Sequence, residues 1–168
     1  MQSLTGMAHV LANAVDKQTV LSKSTLHGHT GFAWVARREI LDRHGFYDCY
    51  VFGGGDDAIA HAMYGDHRYC EAGRFSAALV SHVNMWACQF FRDVNGSVFY
   101  VHGSVAHLWH GSYENRRYEV RHRILTDHNF DPVKDLMQEP NGCWRWRTIK
   151  TGLHREAIQY FRSRKEDD

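Results

Sequence analysis

The stretch FGGGDDAIAHAMYG, residues 52–65, decides how the chain is read. Three consecutive glycines let a backbone turn sharply and come close to another segment where a Cβ would obstruct it. Two aspartates follow at 56 and 57, and Asp is a favoured residue where a helix begins. Ile59, Ala62 and Met63 then recur at helical spacing, and Gly65 supplies a stop. The stretch predicts a loop, a helix start capped by Asp56 or Asp57, and a short amphipathic helix. Adjacent carboxylates in a glycine-rich loop serve either as caps or as a general base beside a hydrogen-bond acceptor for a sugar or alcohol hydroxyl.

Working outward, Val35, Ala36, Ile40 and Leu41 form one face of a helix carried by VARREILDRHG and ended at Gly45. Earlier still, Met7, Val10, Leu11, Ala14 and Val15 have helical spacing over 7–15, followed by the loop-like STLHGHTG at 24–31. Downstream, Phe75, Ala78, Leu79, Val83, Trp86 and Phe90 predict a longer helix. Asn95-Gly96 marks a turn, and SVFYVHGSVAHL (97–108) reads as a strand rich in β-branched and aromatic residues, with His107 on the face of Val101 and Val105. Residues 113 to about 126 predict a helix with Tyr113, Val120 and Ile124 inward and Arg116, Arg117, Arg121 and Arg123 outward. Asn141-Gly142 punctuates the tail, and Leu153, Ala157, Ile158 and Phe161 close it with an amphipathic helix.

Composition bounds the function. In 168 residues, 20 Lys+Arg stand against 19 Asp+Glu, giving a formal net charge of +1 and no basic excess for nucleic acid. Disordered, collagenous and disulfide-scaffold classes are excluded, and one domain is expected over 1–168. Cys49, Cys70, Cys88 and Cys143 form no C-x-x-C pair, which suits free thiols in a reducing, cytoplasmic setting. No stretch has the roughly 18 apolar residues a membrane span needs. The 13 histidines invite metal readings, so position within a motif must separate ligands from structural imidazoles.

Four segments occur in a telling order: G31-F-A-W-V-A-R-R-E-I-L, then H44-G-F-Y-D, then F52-G-G-G-D-D-A-I-A, then S104-V-A-H-L-W-H-G. Over roughly residues 28–111 this resembles the C-terminal, acceptor-side half of family 2-like glycosyltransferases with the GT-A fold, the galactosyltransferase/N-acetylgalactosaminyltransferase region. The resemblance implies an α/β fold, a partial GT-A-like arrangement that is helix-rich with a small mixed sheet and lacks the N-terminal nucleotide-binding half. It implies transfer of a sugar from a nucleotide-diphosphate sugar to an acceptor hydroxyl, metal-dependent and inverting. Asp56 matches the catalytic base and Asp57 the neighbour that holds an acceptor hydroxyl. Gly31 and Trp34 match positions lining the donor-sugar and acceptor pocket, as do Gly54, Gly55 and Trp109 within their motifs. Gly55 stands where the family often has Glu. His107 matches a ligand for a divalent metal, Mn2+ or Mg2+, with His110 as a second candidate.

The chemistry agrees with those residue types, because a diphosphate leaving group must be neutralised and an acceptor proton removed. No Asp-x-Asp is present to supply the family's other metal ligands, so a missing N-terminal half or a partner chain is expected. Two other classes stay open: a non-catalytic His-rich metal- or carbohydrate-binding module, and an HNH-like nuclease centred on Asp127-His128-Asn129. His27 and His29 alternate in a loop and form a further possible metal pair. The four arginines at 116–123 form either a solvated face or a clamp on diphosphate, since the guanidinium fork matches phosphate oxygens.

Overall fold

A computed structural model describes residues 4–23, 26, 28–31, 33–66, 75–106, 112–118 and 120–165. Among them the chain is rich in helix, with one small antiparallel sheet. In order these elements are α1 (Met7–Ala12), α2 (Lys17–Leu21), α3 (Arg38–His44), α4 (Gly55–Met63), α5 (Ala77–Val94), α6 (Tyr113–Arg116), α7 (Arg123–Asp127), α8 (Pro132–Asp135), β1 (Leu136–Gln138), β2 (Trp144–Trp146) and α9 (Thr151–Ser163). They fall into two compact units. One contains the described residues up to 66 together with 83–106, and the other contains 75–82 and 112–165, so α5 contributes to both. No helix among the described residues is long and apolar enough to cross a membrane.

The first unit begins with α1 and α2, whose Met7, Leu11 and Leu21 are buried in one cluster with Ala60 of α4, flanked by Val20 and Tyr64. Asp16 starts α2 by accepting from the amides of Gln18 and Thr19, which lack partners inside the first turn. Residue 29 is tied beside α1 by a parallel bridge in which Met7 N donates to His29 O (2.9 Å) and His29 N to Thr5 O (2.8 Å). Farther on, Trp86 of α5 stacks on Phe90 and donates from Nε1 to His44 O (2.8 Å), which fastens the end of α3. Arg43 and His44 both donate to Asp93 at 2.7 Å. Their hydrogen bonds, His44's first, hold the Asp93 carboxyl below its usual value.

In the second unit Phe75, Leu79, Ile124, Leu125, Phe130, Leu153, Ala157 and Tyr160 are buried, and α7 packs on α9. Truncating a fully buried leucine such as Leu153 costs about 2–5 kcal/mol. Pro132 follows the Asp131 cap at the first helical position, where its missing amide is no loss. β1 and β2 pair with Leu136 opposite Trp146 and Gln138 opposite Trp144. Asp135 anchors this hairpin: buried, it accepts from Lys150 Nζ (2.7 Å), Thr148 Oγ1 (2.6 Å) and Asp131 N (2.8 Å). Burial alone would raise its pKa, but these donors outweigh burial and hold it low.

Several sequence expectations are corrected here. Residues 97–106 form no strand: Phe99, Val101 and Val105 are exposed, while Tyr100 is half-buried with its ring 4.8 Å from that of His9. Among the described residues the sheet is a two-stranded antiparallel one, at 136–138 and 144–146, where a small mixed sheet was expected. Val35 and Ala36 precede α3 and are exposed, because the helix starts only at Arg38. The expected 113–126 helix breaks at Arg117, whose backbone is left-handed, so Tyr113 and Val120 are exposed while Arg121 is buried. On α9 the buried face is Leu153, Ala157 and Tyr160, leaving Ile158 and Phe161 exposed.

Candidate functional site

The glycine loop takes its shape from three separate constraints. Gly53 (φ 94) and Gly54 (φ 98) are both left-handed, a region that costs an ordinary L-residue about 1–2 kcal/mol. Gly55 has helical backbone, but a Cβ there would lie 2.5 Å from the carbonyl oxygen of Tyr47. The first of these turns is closed by Gly53 N donating to Tyr50 O (2.8 Å), and α4 is opened by Ala58 N donating to Gly54 O (3.1 Å). Gly54, not an aspartate, therefore occupies the N-cap position, which corrects the expected cap at Asp56 or Asp57. Both aspartates sit inside the first turn, where negative charge complements the exposed amides of the helix start.

From that turn the carboxylates meet the segment 29–31, roughly 25 residues earlier in the chain. The buried Thr30 donates its hydroxyl to Asp57 Oδ1. Asp56 Oδ2 lies against the Cα of Gly31, where any Cβ would collide with it. The amide of Gly31 donates to His29 Nδ1 (3.0 Å), which leaves the ring proton of a neutral His29 on Nε2. Trp34 is partly exposed and returns to the same segment, its Nε1 donating to Thr30 O (3.0 Å). Thus Gly31, Trp34, Gly54, Gly55, Asp56 and Asp57 belong to one neighbourhood of the first unit, with Thr30, which sequence reasoning did not assign, and His29, which it read only as a possible metal pair with His27. The signal for Thr30 was its position just before Gly31 in His-Gly-His-Thr-Gly.

Asp56 is exposed while Asp57 is half-buried and engaged by Thr30, so the two carboxylates differ in environment. An exposed carboxylate beside a bare glycine backbone can accept a proton from a bound hydroxyl, and its orientation is limited by the backbone it rests on. At the far end of α4, the buried His61 and Asp66 pair at 3.0 Å and secure the helix end.

His107, His110 and Trp109 lie outside the described residues, as do His27 and Cys70. Among the described residues no group of three or more His, Cys, Asp or Glu side chains is placed to hold a metal ion. Cys49 is buried and its thiol is pushed up to about 12, first by burial and then by Asp48, while Cys88 and Cys143 are exposed. In the Asp127-His128-Asn129 stretch, His128 Nε2 meets Glu156 Oε1 at 3.1 Å and its ring fills the space above Gly152, a packing role at the end of α7. Comparisons with protein-family models, curated proteins and solved structures found no match to this chain.

Proposed function

We propose that the chain is the acceptor-side part of a GT-A-type glycosyltransferase that moves a sugar from a nucleotide-diphosphate donor to an acceptor hydroxyl with inversion. The observation that carries this reading is the meeting of Asp56 with the bare backbone of Gly31, beside Asp57 and Thr30. Two segments resembling separate parts of that family's acceptor site are brought together by a loop whose three glycines each have a geometric reason.

In the proposed reaction the acceptor hydroxyl binds against Gly31, and Asp56 takes its proton as the oxygen attacks the anomeric carbon. The bond from that carbon to the diphosphate oxygen breaks on the opposite face, and the diphosphate leaves with the electron pair. Asp57, oriented by Thr30, holds a neighbouring acceptor hydroxyl, and the Trp34 ring supplies an apolar wall. A divalent metal, Mn2+ or Mg2+, held through His107 and His110, would neutralise the leaving diphosphate. Both histidines lie outside the described residues, and no described residue is assigned to the metal.

The same reading accounts for the exposed apolar side chains of segment 97–106. Its alternating Phe99 (89% exposed), Val101 (94%) and Val105 (63%) are residues suited to a half-buried strand. We assign this segment as a strand that joins the sheet of a nucleotide-binding half or partner chain.

The test is sugar transfer with a uridine-diphosphate sugar and Mn2+, comparing the wild-type chain with Asp56→Asn in the presence of that nucleotide-binding half. Loss of a general base lowers turnover by about 10²–10⁴-fold while donor binding holds. Wild-type turnover by Asp56→Asn refutes the assignment.

A further inference from the structure

The turn after α6 buries a positive charge that no described carboxylate neutralises. α6 stops because Arg117 adopts left-handed backbone (φ 48, ψ 41), and Arg121 N then donates to Arg117 O (2.9 Å). This reversal carries Arg116 and Arg121 to the same tyrosine ring. The guanidinium carbon of Arg121 lies 4.5 Å from the Tyr118 ring centroid and that of Arg116 lies 5.7 Å from it. Arg116 Nη1 also donates to the Tyr118 hydroxyl at 2.6 Å. Tyr113 adds a second ring, 5.2 Å from that of Tyr118.

Arg121 is 9% exposed, and its Nε is buried with no hydrogen-bond acceptor among the described residues. No carboxylate of a described residue pairs with it. A guanidinium stays charged at any ordinary pH, so the cost of burying it is offset by hydrogen-bond acceptors, of which an anion is the strongest, or by the ring. The ring is present, but a cation over an aromatic face does not supply an acceptor in the guanidinium plane, and the Nε–H stays unsatisfied. By contrast, the buried Asp135 has Lys150 and the buried His61 has Asp66.

We propose that Arg121, Arg116 and the Tyr118 hydroxyl form a binding site for a phosphate group. The Arg121 fork presents parallel donors to two oxygens of an anion. The Tyr118 hydroxyl, already accepting from Arg116, keeps its own hydrogen for a third oxygen. Donors converging from two arginines and a hydroxyl match a tetrahedral oxyanion with three terminal oxygens better than a planar carboxylate, which one fork satisfies. The site rests on the glycosyltransferase reading for its natural ligand, the donor diphosphate, but not for the binding itself.

The probe is inorganic pyrophosphate, titrated into the full chain with a chelator present and followed by calorimetry and by the Arg121 Nε–H resonance. Pyrophosphate is expected to bind and to shift that resonance. Arg121→Lys keeps the charge and loses the fork, and weakens binding by about tenfold or more; Tyr118→Phe, which keeps the ring, weakens it about three- to tenfold. Uridine diphosphate binding more tightly than pyrophosphate assigns the site to the donor, and binding more weakly assigns it to a smaller phosphate ligand. Wild-type affinity in both variants, an unmoved Arg121 resonance, or acetate binding as tightly as pyrophosphate overturns the proposal. Should Arg121→Lys fail to fold, Tyr118→Phe decides alone. Binding that the variants weaken stands even where no sugar transfer is detected, so the two readings fail separately.

Discussion

Replacing Gly31 by alanine separates the role of this position in folding from its role in the site. The backbone of Gly31 is outside the left-handed region, so alanine adopts it without strain. Its new Cβ would be 3.4 Å from His29 Cε1 and from Asp56 Cγ, both ordinary contacts, but would overlap Asp56 Oδ2. That oxygen ends a short side chain at the surface and can swing aside by on the order of 1 Å at an off-rotamer cost of about 0.5–1.5 kcal/mol. Reduced freedom of the unfolded chain returns about 0.4–1 kcal/mol, leaving stability nearly unchanged. The proposed reaction would be less forgiving, because misplacing a reacting group by about 1 Å costs on the order of 10²-fold. Gly31→Ala is therefore expected to unfold within about 1 kcal/mol of wild type in urea while kcat falls roughly 100-fold. Combined with Asp56→Asn it should cause little further loss, since both changes act through one carboxylate. Full turnover by a folded Gly31→Ala refutes the placement of the base. A stability loss above about 3 kcal/mol would show that Asp56 cannot yield and that Gly31 is a packing glycine.

Two further outcomes are expected. Gly55→Ala drives a Cβ to 2.5 Å from the Tyr47 carbonyl, which belongs to the backbone and cannot rotate away, so a loss of about 1–3 kcal/mol appears in denaturant unfolding. In the second unit, Asp135→Asn removes the charge that Lys150 faces. Because Lys150 is partly exposed and also donates to the carbonyls of His128 and Asn129, the cost is about 2–3 kcal/mol, below the roughly 3–5 kcal/mol of a fully buried pair. The folded Asp135 pKa is depressed, so its contribution is present above the unfolded value near pH 4 and is lost as pH falls through the lower folded value. Burial depresses the His82 pKa against the opposing pull of Asp131, so stability is lost earlier, as pH falls below about 6.5. Wild-type acid unfolding should show both limbs, and Asp135→Asn should show a smaller lower one, the remainder coming from Asp93 and Asp131, whose carboxyls are also held low.

What the sequence made legible were features governed by local physics. Gly45 and Gly65 were readable as stops because a left-handed terminus needs glycine, and both have positive φ. The buried positions Leu79, Val83 and Phe90 of α5 followed from helical spacing over a helix of 18 residues. The 97–108 segment had strand propensity, yet a strand needs a partner, and no propensity says whether the chain contains one. The hairpin at 136–146 was missed because each strand is three residues long, too short to show alternation, although Asn141-Gly142 marked its turn. Arg121 was placed on a solvated face by assuming one continuous helix. Once Arg117 turns left-handed the phase resets, and a residue expected outside goes in. The meeting of Gly31 with Asp56 is a tertiary fact that only the order of motifs hinted at.

The N-cap register bears most directly on function. Had Asp56 or Asp57 been the cap, its carboxylate would be directed at the amides of its own first turn, and the aspartate pair would need no explanation beyond helix initiation. Gly54 takes that position instead, two residues ahead of Asp56, which moves both side chains past the cap and onto the segment 29–31. A left-handed glycine without a side chain is a poorer way to begin a helix than an aspartate whose oxygen satisfies an orphan amide. Stability alone would favour an aspartate at position 54 only if the backbone there were extended, and it is not, because Gly53 and Gly54 together make the turn that fits Gly55 beneath the Tyr47 carbonyl. At the other side of the contact, Gly31 has no conformational need for glycine, and the Asp56 carboxylate supplies the reason it carries no side chain. The loop and the earlier segment are thus shaped toward the same end, an exposed carboxylate lying on bare backbone.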